Sequence, residues 1–198
     1  MRRLARLCAL CAIAALATGC STPASHLYTL SRAQVAGAAL PPLPPITVVV
    51  GPVSIPALVD QPQIVVSTGA NSVTLDEFNR WASPLQANIS RVVAENLVAM
   101  LGAPRVSQFQ QSLNLDADYR VAIEVQSFDS APGQAATLNA VWIVRRTKDG
   151  KSETGRTTLR EPSTTAGYDA LAAAHSRALA RMSQDIADAI KKLDRAAP

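Results

Sequence analysis

The stretch from Asp118 to Arg145 constrains this chain more than any other. Tyr119, Val121, Ile123 and Val125 alternate with Arg120, Ala122, Glu124 and Gln126. A period of two puts the first set on one face of a strand and the second set on the other, which describes a half-buried β-strand. Pro132-Gly133 turns the chain. Thr137 to Arg145 then returns with Leu138, Ala140, Trp142 and Val144 on one face. Two long strands, each apolar on one side, need an apolar cover, and the chain holds two helices to supply it. Leu85, Ile89, Val92, Val93, Leu97 and Met100 recur at helical spacing. Ser83 is placed to cap this helix, Pro84 suits its first position, and Gln86 completes an S-x-x-Q box. Gly102 closes it, and Pro104 forbids its continuation. The second helix runs from Tyr168 to Leu193. Leu171, His175, Ala178, Leu179, Met182, Ile186 and Ile190 trace its apolar stripe. Arg181–Asp185 and Asp188–Lys192 are spaced for pairing along its surface.

The remaining strands are shorter. Ile46 to Val50 is apolar on both faces, as a buried central strand requires. Pro52 and Pro56 then mark its end or an irregular edge. Ile64–Ser67 and Ser72–Leu75 flank Thr68-Gly69-Ala70-Asn71, a hairpin with turn residues at its tip. Arg105-Val106 starts another strand, and Glu153 to Leu159 is a polar strand near an edge. The pattern predicts an α+β two-layer sandwich, with a mostly antiparallel or mixed sheet and both helices on one face.

The beginning of the chain is of another kind. Arg2, Arg3 and Arg6 precede a short apolar run, Leu7 to Leu16, too short to span a bilayer. Ala17-Thr18-Gly19-Cys20 follows and resembles the bacterial lipobox, with Leu16 one place removed from its usual position. The resemblance implies cleavage between Gly19 and Cys20, a diacylglyceryl group on the Cys20 thiol and an acyl chain on the new amine. Residues 1–19 are then a signal peptide, 20–45 a lipidated tether and 46–195 one α+β domain. The tether ends in Leu40-Pro41-Pro42-Leu43-Pro44-Pro45, which favours extended polyproline II. As a coil, the steps from Cys20 to Ile46 reach roughly 25–30 Å. Within them Leu27-Tyr28-Thr29-Leu30 has strand-forming residue types and is a candidate to dock on the sheet.

Composition excludes several functions. Cys8 and Cys11 lie in the signal and Cys20 carries lipid, so the folded part has no disulfide, thiolate metal site or cysteine nucleophile. The formal charge of +4 falls to about +1 once Arg2, Arg3 and Arg6 are removed, and no basic cluster longer than Arg145-Arg146 or Lys191-Lys192 remains. Nucleic-acid binding is not expected. His26 lies in the tether, and His175 reads as a packed or half-exposed helix residue. Asn114, Asp116 and Asp118 have the spacing that opens a calcium loop, but Tyr119 and Val125 stand where Gly and Glu are required. No phosphate loop, nucleophile elbow or zinc motif is present. No enzyme activity, metal or cofactor is expected beyond the covalent lipid on Cys20.

Seven segments together resemble the PqiC-type (paraquat-inducible protein C) family of ABC-transporter auxiliary lipoproteins. They are Tyr28-Thr29-Leu30, Val50 to Pro56, Leu58 to Val65, Arg80 to Leu85, Arg91 to Leu97, Leu138 to Trp142, and Tyr168 to Leu171. Gln61 and Ser83 depart from the pattern, where the family commonly carries a basic and an acidic residue. The resemblance implies a periplasm-facing lipoprotein, anchored in the outer membrane through its lipid. It would serve an MCE-domain protein and an inner-membrane permease or ABC transporter that move phospholipids or other hydrophobic molecules. Ser21 after the cysteine, rather than Asp, favours the outer membrane. A homo-oligomer matching an oligomeric MCE partner is compatible with that role. Pro52, Pro56, Asp60, Pro62, Arg80 and Trp81 are the candidate partner contacts. Competing readings are a lipid carrier in its own right and a general envelope-assembly lipoprotein.

Overall fold

The computed structural model describes residues 24–33, 46–102, 105–108 and 116–195. Among these residues, two sheets and two helices form. Five strands form the larger sheet: β2 (Thr47–Ser54), β5 (Arg105–Gln108), β6 (Tyr119–Ala131), β7 (Ala135–Arg146) and β8 (Ser152–Pro162). Their order is β5-β2-β6-β7-β8. The smaller sheet holds β1 (His26–Tyr28), β3 (Gln63–Gly69) and β4 (Ser72–Trp81) in the order β1-β4-β3. Helices α1 (Leu85–Leu101) and α2 (Tyr168–Arg195) cover one face of the larger sheet.

The α+β class therefore stands as expected, but the one sheet is two, and both are mixed. β6–β7, β7–β8 and β3–β4 pair antiparallel, whereas β2–β5, β2–β6 and β1–β4 pair parallel. The parallel pairs follow from the order of elements along the chain. Hairpins join antiparallel neighbours, but a strand that returns beside an earlier one after a helix runs parallel to it. β5 does this after α1. β2 is an interior strand flanked on both sides, as its all-apolar composition requires, with Val48, Val49 and Val50 fully buried.

The long alternating stretch is the β6–β7 hairpin. Its alternation breaks at one place. A bulge between Val125 and Ser127 shifts the register, so Tyr119, Val121, Ile123 and Val125 and then Phe128 and Ser130 are the buried residues. The extra residue turns Phe128 inward, which sequence spacing alone would place outward. On β7, Trp142 lies across its neighbour Gly155 on β8. Its indole Nε1 donates to Thr157 Oγ1 at 3.1 Å.

Helix α1 starts one residue after Pro84, and no side chain caps it. The expected capping box does not form. Gln86 instead donates through Nε2 to the carbonyl of Val53, so a tertiary bond to β2 replaces the local one. Gly102 ends the helix in the left-handed region (φ 62°), as expected of a residue without Cβ. The pairs expected along α2 are also replaced. Arg181 reaches Glu161 at 2.9 Å, and Lys192 reaches Glu153 at 2.8 Å. Asp185 accepts from Thr157 Oγ1 at 2.6 Å. β8 lies beside the helix and offers its polar side chains, so the charges pair across elements rather than along one. Six buried alanines, Ala172, Ala174, Ala178, Ala180, Ala187 and Ala189, let α2 approach closely.

At the other end of α2, Arg146 is almost fully buried and donates to the carbonyl of Leu193. Its guanidinium also bridges both carboxylate oxygens of Asp149. Those hydrogen bonds hold the Asp149 carboxyl down to about 2, from an ordinary 3.8. A lowered folded value means stability that is complete above the ordinary value and lost as pH falls toward the folded one. Asp149→Asn should therefore lower the melting temperature at pH 7. The difference from the parent should shrink as pH falls from about 4 toward about 2, as thermal unfolding in a pH series would show.

Candidate functional site

The segment from Tyr28 to Ser31 is the best-fastened piece of the N-terminal region. β1 pairs with Asn79, Arg80 and Trp81 of β4. Its main chain continues the contact, because Ala82 N–H donates to the Tyr28 carbonyl at 2.8 Å. Tyr28 OH donates to Asn79 Oδ1 at 2.9 Å. Leu30 is fully buried in the common core. The candidate docking strand Leu27–Leu30 is thus joined to the domain. Arg91, from the middle of α1, locks it there: its Nη2 donates to the Leu30 carbonyl at 2.6 Å and to Asn88 Oδ1 at 2.7 Å, while Nη1 pairs with Glu95 at 2.8 Å. Ser31 N–H reaches Ser176 Oγ on α2 at 3.1 Å. Two helices and a strand that are distant in sequence converge on these four residues.

The fold brings together the segments that carried the resemblance. Tyr28-Thr29-Leu30 meets Arg80-Trp81 through the β1–β4 pairing and meets Arg91 through its hydrogen bonds. Tyr168, at the start of α2, packs on Tyr28 with ring centroids 5.8 Å apart and donates to Asp76 Oδ2 at 2.5 Å. Burial alone would raise the Asp76 pKa, but the hydrogen bonds from Tyr168, Asn79 and the backbone of Phe78 and Asn79 outweigh it and lower the value. The Tyr168 phenol moves the other way, pushed up by burial and by Asp76.

Trp81 is a core residue, 7% exposed. Its indole stands edge-on to Phe128 and His175, at 6.3 Å from each. His175 is fully buried, stacked on Phe128 at 3.8 Å, and bonded through Nε2 to Ser130 Oγ at 2.8 Å. Neither His175 nor Ser130 was legible as part of a cluster. Ser130 turns inward only because of the β6 bulge. Burial pulls the His175 pKa down to about 3 from 6.5. The neutral ring is the folded form, while the unfolded chain takes up a proton below pH 6.5. Stability should therefore decrease as pH falls from about 6.5 toward about 3, by about 2 kcal/mol between pH 7 and pH 5. Denaturant melts at those two values would measure this. His175→Gln, which keeps a hydrogen-bonding partner for Ser130, should flatten the dependence.

The other candidate contacts scatter. Pro52 is exposed, follows Gly51 through a cis peptide, and sits at the irregularity in β2. It borders two recesses. One of about 440 Å³ lies between β2 and the start of α1, lined among others by Pro84, Gln86 and Ser90. The other, of about 390 Å³, lies against β6 and β7 beside Glu124 and Ile143. Pro56 accepts the turn hydrogen bonds of Val59 and Asp60. Asp60 and Pro62 are exposed, and the Pro62 carbonyl accepts from Trp81 N–H at 2.8 Å. Arg80 is partly exposed, and its Nε donates to the Glu77 carbonyl at 3.0 Å. Pro62, Arg80 and Trp81 are thus close together, while Pro52 belongs to the other sheet. Gly19 and Cys20 lie outside the described residues. Among the described residues, no three His, Cys, Asp or Glu side chains gather as a metal site would need, and no helix is long and apolar enough to cross a membrane.

This architecture, with two helices on a mixed five-stranded sheet and a second sheet that carries the N-terminal strand, has solved counterparts. A crystal structure of a Xanthomonas campestris protein of family DUF330 superposes with a TM-score of 0.71 at 20% identity, covering 86% of this chain and 98% of that one. A crystal structure described only as an uncharacterized protein gives 0.67 at 20% identity, covering 85% and 99%. At such identity the likeness defines a class by fold alone. No curated protein matches the chain. The sequence itself goes further, because residues 28–187 match the family "ABC-type transport auxiliary lipoprotein component". The chain belongs to that family, the PqiC type, and is an auxiliary lipoprotein of ABC-type transport. The matched range begins at Tyr28, the first residue of the segment that Arg91 and Ser176 fasten.

Proposed function

We propose that this protein is a non-catalytic accessory subunit, anchored through Cys20 in the outer membrane and facing the periplasm, of an MCE/ABC-type system that moves phospholipids or other hydrophobic molecules across the envelope. The observation that carries the reading is the family match over residues 28–187, on a chain whose start has the form of a lipoprotein signal. The structure fits such a role. The chain's own N-terminal strand is built into the domain, so an anchor on Cys20 would orient the domain as well as retain it. An acylated cysteine with two or more chains holds a protein at a membrane durably, since each buried CH₂ contributes about 0.8 kcal/mol. The work of the subunit would then be positional: it would hold a partner at the membrane end of a conduit.

Purification of the lipidated protein from cells after cross-linking, followed by mass spectrometry, tests this. An MCE-domain protein and a permease should be recovered. Recovery of the lipidated protein without either, under conditions that preserve other envelope complexes, would overturn the transport reading. Cys20→Ser should release the chain from the membrane fraction, which separates failure of the anchor from failure of the partnership.

A further inference from the structure

The small sheet places a partly apolar hairpin, free of charged residues from Gln61 to Leu75, beside the strand β1 that follows Cys20 in the chain. β1 runs parallel to β4, with His26 opposite Asn79 and Tyr28 opposite Trp81. The part of β4 that precedes Asn79 therefore projects beyond the start of β1, back toward the chain that leads to Cys20. From Ser72 to Asn79 this projection is about 20 Å at the rise of a strand, shortened by the bulge between Asp76 and Arg80. The chain from Cys20 to His26 is six Cα steps long and spans at most about 20 Å when fully extended. The hairpin tip thus reaches about as far from β1 as the anchor itself can.

The chemistry of the hairpin matches that position. No charged residue occurs between Asp60 and Asp76. The tip, Thr68-Gly69-Ala70-Asn71-Ser72, is small and neutral. Val73 and Leu75 alternate with Thr74, so they point to the same side of β4, and they are 47% and 48% exposed. Phe78 is 42% exposed on the bulge where Asp76 Oδ1 accepts the N–H groups of Phe78 and Asn79. Leu27 on β1 is 64% exposed. Four of the seven large apolar side chains that stand out from the described surface therefore belong to this one small sheet. Soluble surfaces seldom concentrate apolar side chains in this way without a partner.

We propose that the β3–β4 hairpin rests on the lipid surface that holds Cys20, with Val73 and Leu75 seated among the headgroups and first methylenes. The hairpin then acts as a second, non-covalent foot. Together with the short chain from Cys20 to His26, it fixes the tilt of the domain on the membrane. This rests on Cys20 being the anchor, but not on which transporter the protein serves.

With Cys20 alkylated by its lipid, the mature chain carries no free thiol, so an introduced cysteine is a unique labelling site. The lipidated protein carrying Leu75→Cys, labelled with the environment-sensitive fluorophore NBD, is inserted into vesicles of phosphatidylethanolamine and phosphatidylglycerol. Thr158→Cys, exposed on β8, serves as the control. The label at position 75 should shift to the blue and be reduced by dithionite several-fold more slowly than the label at 158. The same Leu75→Cys label on a Cys20→Ser chain, free in solution with vesicles absent, should report water. A label at 75 that stays aqueous while the protein floats with the vesicles overturns the proposal and leaves the anchor reading intact. Shielding that is already present in the unlipidated chain assigns the patch to a second copy and also overturns it. A lipidated preparation that does not float with vesicles removes the anchor and the proposal together.

Discussion

Replacing Leu30 by alanine lowers the stability of the domain by about 2–5 kcal/mol, the range for truncating a fully buried leucine. The residue sits well before the first long strand, within the stretch from 20 to 45 that reads as a tether. It is nonetheless fully buried in the core cluster that joins both sheets and both helices. Its backbone neighbours add to the fastening through Arg91 and Ser176. Urea unfolding of the Cys20→Ser chain with and without Leu30→Ala is the measurement. A loss well under 1 kcal/mol would mean that the N-terminal segment is not part of the cooperative unit. In the lipidated protein the same substitution should also make the segment around β1 more susceptible to protease, because its detachment exposes the main chain.

Gly155→Ala is the second large effect, at about 3 kcal/mol. A Cβ at position 155 would stand 2.2 Å from Cζ2, 2.5 Å from Cη2 and 2.7 Å from Cε2 of Trp142. Overpacking a formed core costs about 1–3 kcal/mol when neighbours can shift. Here the ring itself must move, and it would also give up its hydrogen bond to Thr157, worth about 0.5–1.5 kcal/mol. Thr157 in turn donates to Asp185 on α2, so the displacement would reach the helix–sheet interface. Near-ultraviolet circular dichroism of the variant should report the loss of the fixed tryptophan environment, and thermal unfolding should report the stability. Trp142→Phe in the Gly155→Ala background should recover part of the loss, because the smaller ring withdraws from the new methyl group.

Much of the architecture was legible in the sequence because it depends on period and punctuation. The β6–β7 hairpin, the two helices, the Gly102 stop and the polar edge strand β8 each follow from residues within one element. What was not legible depends on which elements meet. Nothing local tells Gln86 to bond to β2 rather than to complete a capping box, or Arg181 to choose Glu161 over Asp185. The division into two sheets is of the same kind. Ile64–Ser67 and Ser72–Leu75 read as a hairpin, but its pairing with β1 depends on a parallel register between residues far apart in sequence. The β6 bulge carries no glycine or proline to mark it. Its only trace is that Phe128 falls out of phase with Val125, and that shift is what assembles Phe128, Ser130, His175 and Trp81. The candidate site was half legible. Arg80-Trp81, Tyr28-Thr29-Leu30 and Arg91 to Leu97 stood out as motifs, but nothing local shows that the Arg91 side chain turns to the Leu30 carbonyl.

The parallel β1–β4 ladder also has a mechanical consequence. With the anchor proposed on Cys20, a pull between the bilayer and the domain through that anchor would enter at the N-terminal end of β1. Force applied along a strand in a ladder loads its hydrogen bonds together, in shear, rather than one after another as in unzipping. The same load passes to α1 through Arg91 and to α2 through Ser176. Tension arriving from such an anchor would thus be shared among three elements, β4, α1 and α2, around β1. A transport assembly that strains between two membranes would meet this subunit at a reinforced joint.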